Sequence, residues 1–400
     1  MDPVDAAQRE WGASGLAHLT GAASGSPDFS RAGVLGAARA TADELHRGLG
    51  ITVDAGELLT GRAALLGLSR RGRISAGGAS RLIAGHDGWW ALTLSRPDDV
   101  DAIPAMVESA ETQSDPWSAV EAWAIGRSAA DAVERARLLG LPAAVLGETG
   151  PAEPVVRRAG PASGPREPSD LLVVDLSSMW AGPLCGQLLR RAGATVVKVE
   201  TVGRPDGTRA GSPSFFDWMN SGKLCYTADF DEVGRLRQLL EAADVVIESS
   251  RPSALRIRGL DAEGVTARDG RVWVRITGHG ADGERGNWTA FGDDASVGGG
   301  LVGRGPAGPV FCGDAIADPL TGMHAALAVA ESLARGGGEV VDIAMAAVAA
   351  TYAAVPEASG DRGWPAMAPR DPGPPPAASA LGADNHHVER LIAERRMAPC

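Results

Sequence analysis

The chain has 400 residues, 44% of them hydrophobic and 22% charged, and a formal net charge of −12. That length favours two domains over a single hydrophobic core, and the composition is that of an ordinary soluble globular protein. The negative charge disfavours a nucleic-acid backbone or an anionic membrane surface as main partner, and the scattered Cys185, Cys225, Cys312 and Cys400 give neither a CxxC metal knuckle nor a disulfide framework.

The N-terminus, "MDPVDAAQREWG", is acidic and lacks the apolar core of a signal peptide. Runs such as "AALAVAESLA" are broken by charge well short of a membrane span. With the unpaired cysteines, this points to a reducing cytoplasm. Ala38–Leu49 and Ala119–Leu139 carry a helical period, and "DGWWALTL" (Asp87–Leu94) reads as a strand entered from a turn. Residues 1–150 are therefore expected to form a small α+β domain. "GETGPAEPVVRRAGPASGPREPSD" (Gly147–Asp170) is rich in Pro, Gly and charge, and residues 151–169 read as a linker.

Residues 170–358 alternate strand and helix. Leu171–Leu176 is a continuous apolar run of the kind buried on both faces. A helix begins near Pro183, stops at Gly193, and is followed by the strand Thr195–Val199. This βαβ unit requires parallel strands and a right-handed crossover. Further strands are expected at Asp244–Glu248, Val272–Thr277 and Val340–Ile343, with helices at Val233–Ala242 and Pro319–Ala334. The fold class is α/β: an open, Rossmann-like parallel sheet domain with a smaller α+β domain. Ligands of such sheets bind beyond the carboxyl ends of the strands. The first loop, "SSMWAGP", lacks GxGxxG, which disfavours NAD, and no GxxxxGK[ST] occurs for ATP. Residues 359–400 read as a mobile, Pro-rich tail ending in a short amphipathic helix, "HHVERLIAERRM".

In "VFCGDAIADPLTGMH" (Val310–His324), two aspartates sit in an apolar run. Asp318, followed by Pro319 and an Ala-rich helix, has the pattern of an N-cap. A carboxylate at a helix N-terminus is also held ionised, as a nucleophile must be. Asp314 reads either as a partner of Asp318 or as a loop Asp bonded to its own backbone.

Several blocks in order resemble the family III CoA-transferases, a family that also includes the α-methylacyl-CoA racemases. They are "DLLVVDLSSMWAGPLCGQLLRRAGATVVKVE", "FFDWMNSGK", "ADVVIESSRPSALRIRGL", "ITGHGADGERGNW" and "GDAIADPLTGMHAALAVAESLARGGGEVVDIAM", running from about Leu171 to Ala350. The resemblance implies that Asp318 is the catalytic nucleophile. It would pass CoA from an acyl-CoA to a carboxylic acid through an aspartyl-CoA thioester, using no metal, ATP or NAD. Backbone amides near Gly298–Gly300 and at the helix start could stabilise the tetrahedral oxyanions. The implied contacts to coenzyme A are Trp180, Ala181 and Gly182 in the first loop, then Arg204, Lys223, Arg251, Arg256 and Arg258. Arg204 and Arg209 would replace an Arg common where this chain has Thr201.

The racemases of the family pair the Asp with a His, and Gly292 occupies that position here, which favours transfer over racemisation. His279 lies in another loop and reads as a surface or turn residue. The alternatives are a racemase-like enzyme or a catalytically degenerate CoA-binding partner protein. The order of parts differs from the family's usual pattern, because the segment resembling its small domain precedes the sheet domain. "SAGGAS" (Ser75–Ser80) is the candidate substitute for the family's glycine-rich lid. "WGASGLAHLTG" (Trp11–Gly21) reads as a spare apolar half-element whose burial would favour a homodimer.

Overall fold

The computed structural model describes residues 2–109, 115–360 and 363–397. Strands β1 (Ser80–Ala84), β2 (Trp89–Thr93) and β3 (Ala143–Val145) form a small antiparallel sheet in that order. The chain then supplies β4 (Val155–Arg158), β5 (Leu172–Asp175), β6 (Thr195–Glu200), β7 (Leu224–Thr227), β8 (Val245–Glu248) and β9 (Val272–Thr277). A hairpin of β10 (Val302–Gly305) and β11 (Gly308–Phe311) precedes the last strand, β12 (Glu339–Ala344). The main sheet has the order β4-β12-β9-β8-β5-β6-β7, parallel except for β4.

The period-two alternation of the strands explains why this sheet is covered on both faces. Val173, Val196, Ile247, Val274 and Val341 enter one buried cluster. Their neighbours Leu172, Val174, Val197, Val246, Trp273 and Val340 enter the other. The first face is covered by the helices Ala181–Arg191 and Ala317–Ala334, with Gly33–Leu49 packed beyond. The second is covered by Val233–Ala242 and Asn385–Met397.

Packing redraws the organisation expected for residues 1–150. Trp11, Leu35, Leu45 and Leu59 share one buried cluster with the sheet face, whereas Trp90, Val120, Val133 and Leu141 form a separate one. The helix expected over Ala119–Leu139 is two helices, Pro116–Ala124 and Ala129–Leu138. Gly126 turns the chain between them at φ 78°, and Ser128 caps the second by accepting from the Asp131 N–H. The expected linker contains β4, whose pairing with β12 adds an antiparallel edge to the sheet.

The tail is docked, contrary to the mobility read from its prolines. The Met367 N–H donates to the Gly12 carbonyl, and the Trp364 indole donates to Asp5. Further on, the Ala378 N–H donates to Asp217. At the open edge of β7, the Cys225 N–H donates to the Asp384 carboxylate and the Thr227 N–H to the Asn385 side-chain oxygen. Side chains thus satisfy strand groups that an exposed edge would leave open. The tail also covers "WGASGLAHLTG": a Cβ on Gly12 would lie 2.4 Å from the Pro365 carbonyl oxygen. Trp11, Leu16 and Ala17 are fully buried. The apolar surface that suggested self-association is therefore covered within the chain.

Candidate active site

Asp318 lies in the first turn of the Ala317–Ala334 helix, but it does not cap it. Its Oδ2 instead accepts from the Gly292 N–H of the neighbouring Gly292–Gly298 helix at 3.1 Å, and the Ala181 amide also favours its ionised form. Ala181 is the first residue of the Ala181–Arg191 helix, so that N-terminus faces the carboxylate. Close helix packing makes this possible: a Cβ on Gly322 would meet the Ala181 carbonyl oxygen at 2.8 Å and Leu184 Cβ at 2.9 Å. Gly292 is similarly constrained, because a Cβ there would lie 2.3 Å from Asp318 Oδ2 and from the Ala315 carbonyl oxygen.

Burial raises the Asp318 carboxyl most, Arg62 opposes it, and nearby Asp293 raises it further, for a value of about 7. The residue nevertheless keeps partial solvent exposure. Arg62 comes from the helix Ala55–Leu66. Its Nη1 donates to Asp314 Oδ1 at 2.6 Å, and its guanidinium lies 5.6 Å from the ring centroids of both Trp180 and Phe215. Asp314 is fully buried, so neither a surface loop aspartate nor an Asx turn describes it.

Asp293 ties the Ala315 turn to the start of β1. Its Oδ1 accepts from the Ala315 N–H at 3.0 Å and its Oδ2 from Ser80 Oγ at 3.0 Å. Ser80 Oγ lies 2.8 Å from Thr93 Oγ1, which donates to Asp294. The small sheet is thereby tied to the site. "SAGGAS" sits at the same place, with a Cβ on Gly77 falling 3.4 Å from Arg62 Nη2. Backbone strain occurs in the two adjoining loops, where non-glycine Met179 and Ala315 adopt φ values of 75° and 42°.

Residues 169–377, just over half of the chain, match the family model described as CoA-transferase family III. The chain belongs to that family. It is 30% identical over 203 residues to the succinate–glutarate CoA-transferase of Agrobacterium fabrum, covering 44% of this chain and 50% of that protein. It is 32% identical over 197 residues to the succinyl-CoA–D-citramalate CoA-transferase of Chloroflexus aurantiacus, covering 45% of this chain and 49% of that one. Against the crystal structure of a CaiB/BaiF family protein from Brucella suis the identity is 32%, with 48% of this chain and 56% of that chain covered and a TM-score of 0.43. The chain spans about half the length of the curated relatives it matches.

The CoA-contact residues read from the family resemblance separate into distinct groups. Arg204 follows β6 and Arg251 follows β8, so both lie at carboxyl ends of strands adjacent to β5. Both are exposed, and their guanidiniums have no ion-pair partner among the described residues. Arg256 faces Asp261 at 3.5 Å, and Arg258 is held by Asp231 and by the Phe230 and Ala254 carbonyls. Arg209 is committed to Glu200 through Nε and Nη2.

Lys223 is engaged inside the protein. It is fully buried, and its ammonium donates to Asp175 at 2.9 Å, the Pro183 carbonyl at 2.8 Å and Asn220 at 3.0 Å. All three of its donors are spent inside the protein. Trp180 is also buried, packing edge-on against Phe215 with centroids 5.4 Å apart. Gly182 gives room for Ser177, whose Oγ would lie 2.2 Å from an added Cβ. The Gly299 and Gly300 amides are consumed by the Ala295 and Val297 carbonyls, so they cannot serve an oxyanion. Gly299 instead lets the helix pack on Ala346 and Ala350. His279 is buried against Trp288, contrary to the surface reading, and burial with Arg137 and Arg285 nearby lowers it to about 3.

Three participants lay outside the residues singled out from sequence. Arg62 belongs to a helix that was not anticipated. Asp293 could have been suspected from the paired acids of "FGDDA" beside the Gly292 position. Lys198, fully buried, donates to Asp206 at 2.7 Å, and Asp206 accepts from the Met179 N–H. It thus fixes the loop that leads to Ala181. A cleft of about 510 Å³ lies apart from these groups, beside β4, lined by Arg157, Arg158, Glu263 and Val340 among others.

Proposed function

We propose that the chain transfers CoA between an acyl-CoA and a carboxylic acid, with Asp318 as nucleophile and an aspartyl-CoA thioester as intermediate. The observation that carries this reading is the setting of Asp318: a partly exposed carboxylate, poised near neutrality, facing two backbone amides from other helices. An Asp318 oxygen attacks the thioester carbonyl carbon, the C–S bond breaks, and CoA leaves as thiolate from a mixed anhydride. The thiolate attacks the Asp318 acyl carbon and displaces the original acid. An incoming carboxylate then attacks the aspartyl thioester, CoA leaves again, and its return to the new anhydride regenerates Asp318. Each step exchanges one activated acyl group for another. The Gly292 and Ala181 amides, which face the Asp318 carboxyl, are proposed to stabilise the oxyanion formed at the Asp318 acyl carbon.

Both named relatives transfer CoA among small carboxylic acids, and that class is proposed here. Arg204 and Arg251 are proposed to meet CoA phosphates at the sheet's carboxyl edge. The racemase alternative is weakened because position 292 has no space for a side chain between Asp318 and Ala315. A homodimer remains part of the proposal on a new ground: edge strand β4 exposes Val155 and Val156, and a second copy would extend or cover that edge. The buried free cysteines Cys185, Cys225 and Cys312 support the proposed cytoplasmic setting. No helix among the described residues is long and apolar enough to cross a membrane.

The test is to incubate the protein with succinyl-CoA or acetyl-CoA, trap with hydroxylamine or borohydride, and map the product by mass spectrometry. Modification at Asp318, lost in Asp318→Asn, is the expected result. An Asn variant that keeps wild-type turnover would overturn the assignment.

A further inference from the structure

The acid acceptor faces an electrostatic problem at this site. It arrives as an anion, yet the surroundings of Asp318 already include Asp293 and Asp314. Arg62 is the cation whose charge acts on all three carboxylates. It lies outside the 169–377 segment matched to the family, on a helix of the N-terminal region.

The guanidinium is positioned rather than merely nearby. Nη1 is fixed by Asp314 at 2.6 Å, and the Trp180 and Phe215 rings flank it at 5.6 Å. Nε and Nη2 make no hydrogen bond among the described residues, while the side chain remains 24% exposed. Gly77 matters for the same reason. A Cβ there would lie 3.4 Å from Nη2, so a larger residue would crowd the one edge of the fork left open. A guanidinium with one edge anchored and the other open matches the planar fork geometry of a carboxylate.

We propose that Arg62 is the anchor for the acceptor's carboxylate, receiving it on Nε and Nη2 while Nη1 stays on Asp314. This rests on the transferase reading above and supplies its missing binding group. Once Asp318 is esterified as the thioester, its negative charge is gone and the positive edge of Arg62 is no longer shared with it. The acceptor carboxylate can then approach, and one of its oxygens attacks the Asp318 acyl carbon as CoA thiolate departs. The bond made is C–O, the bond broken is C–S, and the negative charge passes from carboxylate to sulfur.

Binding is tested apart from turnover by saturation-transfer NMR of acetate, succinate and glutarate with the full-length protein at pH 7.5. Removing Arg62 alone strands a buried Asp314, so the comparison uses the paired change Arg62→Met with Asp314→Asn. At least one acid is expected to bind wild type and to bind this variant at least tenfold more weakly. Arg62→Lys is expected to be intermediate, and Gly77→Val, which leaves every charged group in place, to weaken binding as well. Where transfer is measurable, KM for the acid should rise while acyl-CoA labelling of Asp318 persists at pH 9. Failure of all three acids to bind wild type, equal binding by wild type and the paired variant, or recovery of KM at pH 9 would each overturn the anchor role. Asp318→Asn separates the two proposals: it keeps Arg62 and should still bind the acid, whatever the outcome of trapping.

Discussion

Replacing Asp318 with Asn should abolish transfer and, at the same time, stabilise the fold. Burial outweighs the favourable charge of Arg62 and leaves the folded carboxyl at about 7, against an ordinary value of 3.8. Each unit corresponds to about 1.4 kcal/mol, so the ionised group costs at most ~4 kcal/mol. Partial exposure of Asp318 reduces that figure, and a gain of about 1–2 kcal/mol is the realistic expectation at pH 8. Because the folded value is raised, the folded state holds its proton longer than the unfolded chain. Its contribution to stability is complete below about pH 4 and is lost as pH rises through about 7. Asn does not titrate, yet its amide oxygen can still accept from Gly292. The melting-temperature difference between variant and wild type should therefore be small at pH 4.5 and widen steadily to pH 8. A difference that stays constant over that range, or shrinks, would refute the account of a buried, reluctantly charged nucleophile.

Three other outcomes follow from the same contacts. Single-turnover labelling of Asp318 by acyl-CoA should rise about tenfold between pH 6 and pH 8, since a group titrating near 7 goes from mostly neutral to mostly ionised; a flat profile would contradict it. Gly292→Ala should lose at least tenfold in turnover and about 1–3 kcal/mol in stability, because its Cβ collides with both Asp318 and a backbone carbonyl; calorimetry and steady-state rates check both. Lys223→Met should destabilise the fold by about 3–5 kcal/mol by stranding Asp175. The protein that does fold should keep its KM for acyl-CoA, and a selective rise in that KM would return Lys223 to the ligand site.

The parts legible in the sequence were those whose signal is local. Val173 and Val174 sit in an unbroken apolar run because the two sheet faces each need one of them. That run, the helix Val233–Ala242 and the strand Val272–Thr277 could be read directly. Asp318 was singled out through its neighbours, but its expected capping bond is absent: the carboxylate turns toward Gly292, a residue 26 positions away. The burial of Lys223 was not legible, because its position beside a family-like motif carries no information on burial. Only the three-dimensional meeting of Asp175, Pro183 and Asn220 consumes its protons. The tail misled for a related reason. Proline-rich composition forbids helix and central strand, but it does not forbid docking, and here Asp384 and Asn385 replace a strand at the β7 edge.

The unusual order of the chain is compatible with a complete site because the site is built from contacts at element ends. Asp318 enters from the start of one helix, the Ala181 amide from the start of a second, and the Gly292 amide from a third. None of these requires the small sheet to follow the large one. What the small sheet and its preceding helix must do is reach Asp293, Asp294, Asp314 and the Trp180 ring, which Ser80, Thr93 and Arg62 accomplish across separations of more than 200 residues in sequence for the aspartates. Moving a segment along the chain changes the loop to be closed, and closure cost grows only logarithmically with its length. The side chains that meet decide the chemistry. The N-terminal region thus supplies the cation that acts on Asp318, and cutting the chain near residue 150 would remove both that cation and part of the core cluster that covers one face of the sheet.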